Sequence, residues 1–264
     1  MSTVAKDGVV FTLEGPVATV VIERPDDGNR LSPEVLAQLK EIAARLKVNP
    51  EVHVLAIRGH GSDCFSMGVF GPVRRAALSK EQALAVVALA NEVIDAIEAL
   101  PQIVVAGING QIRGGGAELA LGCDIRIAAE HARLAFPEAR MGGFPGAGAA
   151  VRLPAAVGNA RALELLCTGR EIDAAEMLRI GFVERMVESK RFDDELASLV
   201  ATIASCGPLA TRGAKRVVKV RSEPGFRAAR ELSDALRNAL EYSRDVDEGI
   251  AAHREGRAPK FTGR

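Results

Sequence analysis

The sequence has no surplus of either charge. Lysine plus arginine and aspartate plus glutamate both number 34, so the formal net charge is zero. A protein that lives on nucleic acid needs excess cations to neutralise phosphates. Their lack argues against nucleic acid as the main partner and leaves only a local basic patch for a small phosphorylated ligand. Long apolar runs are lacking too. The longest, Ala83 to Ala90, is far too short to cross a bilayer. Met1-Ser2-Thr3-Val4-Ala5-Lys6-Asp7 carries no apolar stretch behind a basic start, as a signal peptide would. The expectation is a soluble, cytoplasmic protein with no membrane partner. Cys64, Cys123, Cys167 and Cys206 are scattered with no C-x-x-C, which reads as ordinary buried thiols and not a disulfide framework. His53, His60, His131 and His253 are equally dispersed, so no metal-ligand spacing exists. Tryptophan is absent and Tyr242 is the single tyrosine, while 26 glycines and many alanines let elements pack closely.

What is present is enough for a large core. With 264 residues, 48% of them hydrophobic, the chain can form one large domain or a main domain with a small appendage. Strands and helices alternate first. Val17 to Ile22 is a β-branched run closed by Arg24-Pro25 and a turn-rich Asp26-Asp27-Gly28-Asn29. Ser32 then serves as N-cap, with Pro33 at the first helical position, and Leu36, Leu39, Ile42, Ala43 and Leu46 keep the helical period. Val52 to Ile57 reads as a strand and Ser79 to about Leu100 as a long helix, capped by Ser79 with Gln82 and ended by Pro101. Leu84, Val87, Asn91, Ile94 and Ile97 lie broadly along its one face. Ile103 to Ile108 is nearly all apolar, which suits a strand buried on both sides. A short helix over Ala117 to Leu121 and strands over Ile125 to Ala129 and Leu134 to Phe136 follow. After about Leu153 the pattern is mainly helical, with Asp173 capping one helix and Gly181 ending it. The order implies an α/β core followed by an α-helical C-terminal part.

Three short segments can carry chemistry. Gly114-Gly115-Gly116 joins a buried strand to a helix. Glycine lets a ligand reach the backbone, and a helix N-terminus offers unpaired N–H groups and partial positive charge. That is a seat for a developing oxyanion, although a tight packing turn would look the same. A dinucleotide fingerprint is excluded, because G-G-G-A-E-L lacks the third glycine and Pro145 breaks the pattern of residues 143–148. Phe65-Ser66-Met67-Gly68-Val69-Phe70 alone could be any loop re-entering a core. Glu138, in Phe136-Pro137-Glu138-Ala139-Arg140, alone could be a solvated turn residue.

In order, the chain reads R-P at 24–25, N-R-L-S at 29–32, F-S-M-G-V at 65–69 and N-G-x-x-x-G-G-G-x-E-L-A-L-G-C-D at 109–124. F-P-E follows at 136–138, P-G-A-G at 145–148, R-L-P-x-x-V-G at 152–158 and D-x-D-E-G at 245–249. This order and spacing resembles the crotonase family, the enoyl-CoA hydratases and isomerases, from about residue 10 onward. The resemblance implies a crotonase-like spiral of repeated ββα units over residues 1–200. An α-helical oligomerisation region over residues 201–264 would then build a homotrimer or hexamer. It also implies an acyl-CoA substrate, with no separate cofactor and no metal.

Carried over by position, the thioester carbonyl would sit between the backbone N–H groups of Val69 and Gly115. Glu118, three residues after the middle glycine, and Glu138 would be the acid–base pair, twenty positions apart as in the hydratases. Ser66, Gly68, Gly114 and Pro137 frame the same motifs. Arg24, Arg30 and Lys260 are candidates for the phosphates of coenzyme A. Three residues depart from the family pattern, and Met67, where an alanine is common, is the first. Phe70 stands where an aspartate is common and would reshape the mouth of the site. Arg113 often has an apolar counterpart; it is either a surface ion-pair residue or a contact for an acidic acyl group. The implied reaction is hydration of 2-enoyl-CoA, a lyase reaction. The alternatives are isomerisation or dehydration on the same fold, or a weakly catalytic acyl-CoA binder.

Overall fold

The computed structural model describes residues 2–6, 8–222 and 226–260. Its strands are β1 (Ser2–Lys6), β2 (Val9–Glu14), β3 (Val17–Ile22), β4 (Val54–Gly59), β5 (Cys64–Ser66), β6 (Ile103–Ile108), β7 (Gln111–Arg113), β8 (Ile125–Ala129), β9 (Arg133–Ala135), β10 (Ile172–Asp173) and β11 (Arg185–Val187). Its helices are α1 (Pro33–Lys47), α2 (Pro72–Ala77), α3 (Lys80–Glu98), α4 (Gly115–Leu121), α5 (Ala149–Val157), α6 (Asn159–Thr168), α7 (Ala174–Ile180), α8 (Phe192–Ser205), α9 (Pro208–Ser222), α10 (Phe226–Glu241) and α11 (Arg244–Glu255).

Among the described residues the strands form a seven-stranded sheet, β1-β2-β3-β4-β6-β8-β11, and a four-stranded one, β10-β9-β7-β5. The β1-β2-β3 meander is antiparallel, and from β3 onward the larger sheet is parallel. β4 and β5, β6 and β7, and β8 and β9 each place their first strand in the larger sheet and their second in the smaller one, before a helix follows. That repetition is the ββα spiral expected from the motif order. One core fills the space between the two sheets and the helices α1, α3, α4 and α5, around Phe65, Phe136, Phe182, Leu36 and Ile94. A second lies on the opposite face of the larger sheet, where Val54, Val105 and Ile127 meet Phe192, Leu196 and Leu199 of α8. Two covered faces explain why β6 is apolar almost throughout.

Local signals translate directly into contacts. Ser32 Oγ accepts from Val35 N at the start of α1. Ser79 and Gln82 form a complete capping box on α3. Asp173 caps α7 by accepting from Glu176 N, and Gly181 closes it in the left-handed region. Boundaries shift elsewhere. The strand read at 52–57 runs 54–59, and α4 starts at Gly115, two residues earlier than its apolar pattern suggested. The inner face of α3 is Ala83, Val87, Ala90, Val93, Ile94 and Ile97; Leu84 and Asn91 sit at its border. Small alanines there let the helix approach α1 and α4. Cys64 and Cys123 are buried as expected, but Cys167 and Cys206 are exposed, because they fall at the solvent side of α6 and just past the end of α8. No helix among the described residues is long and apolar enough to cross a membrane.

Candidate active site

Two buried asparagines fasten the turn that leads into the first site loop. Asn109 Oδ1 accepts from Gly59 N at 3.0 Å, while its Nδ2 donates to Gly61 O at 2.8 Å and Cys64 O at 3.2 Å. Asn29 Nδ2 donates to Cys64 O at 2.7 Å and His60 O at 3.0 Å. Every polar atom of this cluster that loses water gains a protein partner, so the turn after β4 has one arrangement. Arg30 then clamps the loop itself, its Nη1 donating to Met67 O at 2.6 Å and Phe70 O at 2.7 Å.

That loop lies against the strand–helix junction of the triple glycine. Gly68 has φ +84°, and a Cβ on it would stand 3.0 Å from Gly115 N and 2.9 Å from Arg113 O. Only glycine allows this approach and this backbone conformation together. A Cβ on Gly115 would in turn stand 3.1 Å from Val69 N. The amides of Val69 and Gly115 are therefore neighbours. Gly115 opens α4, so its N–H has no partner within the helix. Ser66 is fully buried and does not reach the cavity; its Oγ accepts from Gly68 N at 3.2 Å, which shapes the loop from behind.

Both candidate carboxylates enter the same cavity, of about 420 Å³. Glu118, on the first turn of α4, is 2% exposed, and its Oε1 accepts from Ala149 N at 2.9 Å. Ala149 begins α5, so the glycine-rich 142–148 stretch delivers a helix N-terminus to this carboxylate. Burial raises the Glu118 pKa, opposed by hydrogen bonds from the Ala149 and Ala147 amides. Glu138 begins a 3-10 turn, Glu138–Met141, and its Oε2 is sealed from solvent without a hydrogen-bond partner. Burial first, and the neighbouring Glu118 second, push its pKa up to about 8. Two neighbouring carboxylates in one cavity resist ionising together.

Arg30, Gly68, Val69, Phe70, Arg113, Gly114, Gly115, Pro137, Glu118 and Glu138 all line this cavity. Lys260 does not. It is exposed in a separate hollow beside Arg244, Asp245 and Arg257, its backbone N donating to Glu248 Oε1 at 2.7 Å. Arg24 also stays outside, bonded to Ser32 Oγ at 2.9 Å and Asp27 at 3.1 Å. Arg113 reaches the cavity edge, and its Nη2 pairs with Glu171 at 2.6 Å. The family resemblance pointed to the stretch beginning at Gly71-Pro72 and Arg74-Arg75 as shaping the acyl pocket, and Gly71 and Arg75 line it; the sequence reading missed the wall supplied by α10 and α11: Arg237, Glu241, Val246, Ile250 and His253. Only the D-x-D-E-G motif hinted at it. Gly249 in that motif packs directly on the Met141 carbonyl, bringing α11 against the Glu138 turn.

Comparison with known proteins bears on the family and the fold. A family model described as enoyl-CoA hydratase/isomerase matches residues 12–264. The crotonyl-CoA hydratase of Syntrophomonas wolfei is 32% identical over 257 residues, 97% of this chain and 98% of that protein. The (E)-benzylidenesuccinyl-CoA hydratase of Thauera aromatica is 32% identical over 260 residues, 97% of this chain and 99% of that protein. The crystal structure of an enoyl-CoA hydratase from Bacillus anthracis superposes with a TM-score of 0.80 at 32% identity, covering 98% of this chain and all of that one.

Proposed function

The chain belongs to the enoyl-CoA hydratase/isomerase family, and we propose that it adds water reversibly across the double bond of 2-enoyl-CoA thioesters. The observation that carries this reading is the convergence of Glu118, Glu138 and the Val69 and Gly115 amides on one cavity.

The thioester oxygen accepts from the two amides. Each such donor contributes about 3–4 kcal/mol to the transition state, because it is fixed before charge develops. Glu118 serves as the base. Its hydrogen bond from Ala149 N, at the start of α5, favours the ionised form. It takes a proton from water, and the hydroxide adds to the β-carbon. The π electrons move to the thioester oxygen as an enolate held by the amides. Glu138, protonated at neutral pH by its burial and by Glu118, delivers its proton to the α-carbon. Water has then been added, Glu118 has gained a proton and Glu138 has lost one. Exchange with solvent restores the starting state. The presence of both carboxylates favours hydration over an isomerase that would need only one.

The reading includes no cofactor beyond the coenzyme A of the substrate. On the family resemblance, it also includes a cytoplasmic homotrimer or hexamer, which light scattering on the purified protein measures directly. Hydration of crotonyl-CoA, followed as loss of enoyl-thioester absorbance, tests the activity. Rapid turnover is expected. No turnover with any 2-enoyl thioester, despite tight thioester binding, would overturn the hydratase reading.

A further inference from the structure

Three charges in the cavity wall have no part in the hydration steps. Glu241 on α10 is 1% exposed and lies between two guanidiniums. Arg75 Nη2 donates to its Oε1, and Arg237 Nη1 donates to its Oε2 at 2.5 Å. Arg237 is buried and Arg75 nearly so. Charges are taken out of water at high cost, and the cost is recovered only where hydrogen bonds satisfy them. Here one carboxylate serves two cations, each with five N–H donors. Each guanidinium gives one hydrogen bond to Glu241, and among the described residues neither has another. Both side chains line the cavity.

Val87, Phe144, Val246 and Ile250 make much of the wall around them apolar, and His253 and Arg254 of α11 also line it. A hydrocarbon acyl chain would drive water off these donors and return no hydrogen bond, which is a net loss. An acyl group carrying an anion would return two. Arg113, at the cavity edge, already pairs through Nη2 with Glu171 at 2.6 Å. Asp247, the other carboxylate near Arg75, is exposed and paired with Lys80.

We propose that the pocket takes a thioester whose acyl group ends in a carboxylate, seated on Arg237 and Arg75. Glu241 holds the two forks in position. The Arg237 side chain packs against Gly146, three residues before the Ala149 amide that donates to Glu118, so the seat lies close to that carboxylate and suits a short diacid. The identification of a coenzyme A thioester rests on the reading above; the anion seat is a property of the cavity wall.

The test uses binding, so it stands even if hydration fails. Saturated half-thioesters of diacids with four to six carbons, and the length-matched monoacid thioesters, are titrated by calorimetry. Arg237→Gln and Arg75→Gln are measured beside the wild type. The readout is the ratio of monoacid to diacid Kd within each protein, which cancels any loss of folded material. The wild type is expected to bind at least one diacid about tenfold or more tighter than its monoacid partner, the range for a hydrogen bond to a charged group. Arg237→Gln is expected to bring that ratio to about one, and Arg75→Gln to reduce it. Equal binding of every pair by the wild type would overturn the proposal. So would a preference that survives both substitutions, because a purely structural triad weakens both ligands alike.

Discussion

Glu138 Oε1 occupies the space into which a side chain at Gly114 would project. Gly114 also has φ +47°, in the left-handed region. The loop carrying one carboxylate and the glycine run preceding α4 are therefore fitted to each other. That contact fixes where Glu138 stands relative to Glu118, which lies one turn further along the same helix.

Gly114→Ala is expected to displace Glu138 and to cost at least about 100-fold in kcat, the scale of lost acid–base catalysis. Far-UV circular dichroism separates this from global unfolding. A variant with normal kcat would mean that the carboxylate tolerates another position.

Glu118→Gln and Glu138→Gln should each lower kcat at least about 100-fold with crotonyl-CoA. Glutamine keeps the size of each side chain and removes its proton chemistry. Near-normal rates in both would sink the two-carboxylate mechanism.

The rate should fall as pH rises through about 8, where Glu138 loses the proton it donates. The limb should vanish in Glu138→Gln, whose residual rate no longer depends on that ionisation. A profile flat to pH 10 would contradict Glu138 as the acid.

Stability should follow the same group. At about pH 4 and below, the ordinary range for glutamate, the carboxyl is largely protonated in the folded and unfolded chain alike. As pH rises toward 8 the unfolded chain ionises freely and the folded one resists, so the folded state loses stability. Glu138→Gln removes that loss. Its Tm relative to wild type is expected to climb between pH 5 and pH 8, and a constant difference would refute the assignment.

Asn109→Ala should destabilise the protein by about 1–3 kcal/mol in urea titrations, because it leaves the buried Gly59 N–H without its acceptor. It should also loosen the loop that carries Val69 and so raise KM. A change within 0.5 kcal/mol would show that water replaces the side chain, as at exposed sites (about ±0.5 kcal/mol).

Local chemistry is what the sequence determined by itself. Ser32, Ser79 and Asp173 can satisfy helix N–H groups wherever their helices go, and each does so. The apolar run Ile103–Ile108 had to be covered on both faces. The ordered glycine, glutamate and asparagine motifs anticipated the spiral and both cavity carboxylates through their resemblance to the crotonase family. Tertiary structure decided the rest. Which carboxylates and hydroxyls came within reach of Arg24 and Arg113 depended on the fold, and so did the place of Lys260 in a separate hollow. The far wall of the pocket depended on α10 and α11 folding back over α2, α3 and the Glu138 turn. Arg75 and Arg237 are 162 residues apart, yet they share Glu241. No local propensity encodes such a pairing. Only the packed fold brings the three charges to the same place, where each buried charge finds an opposite one.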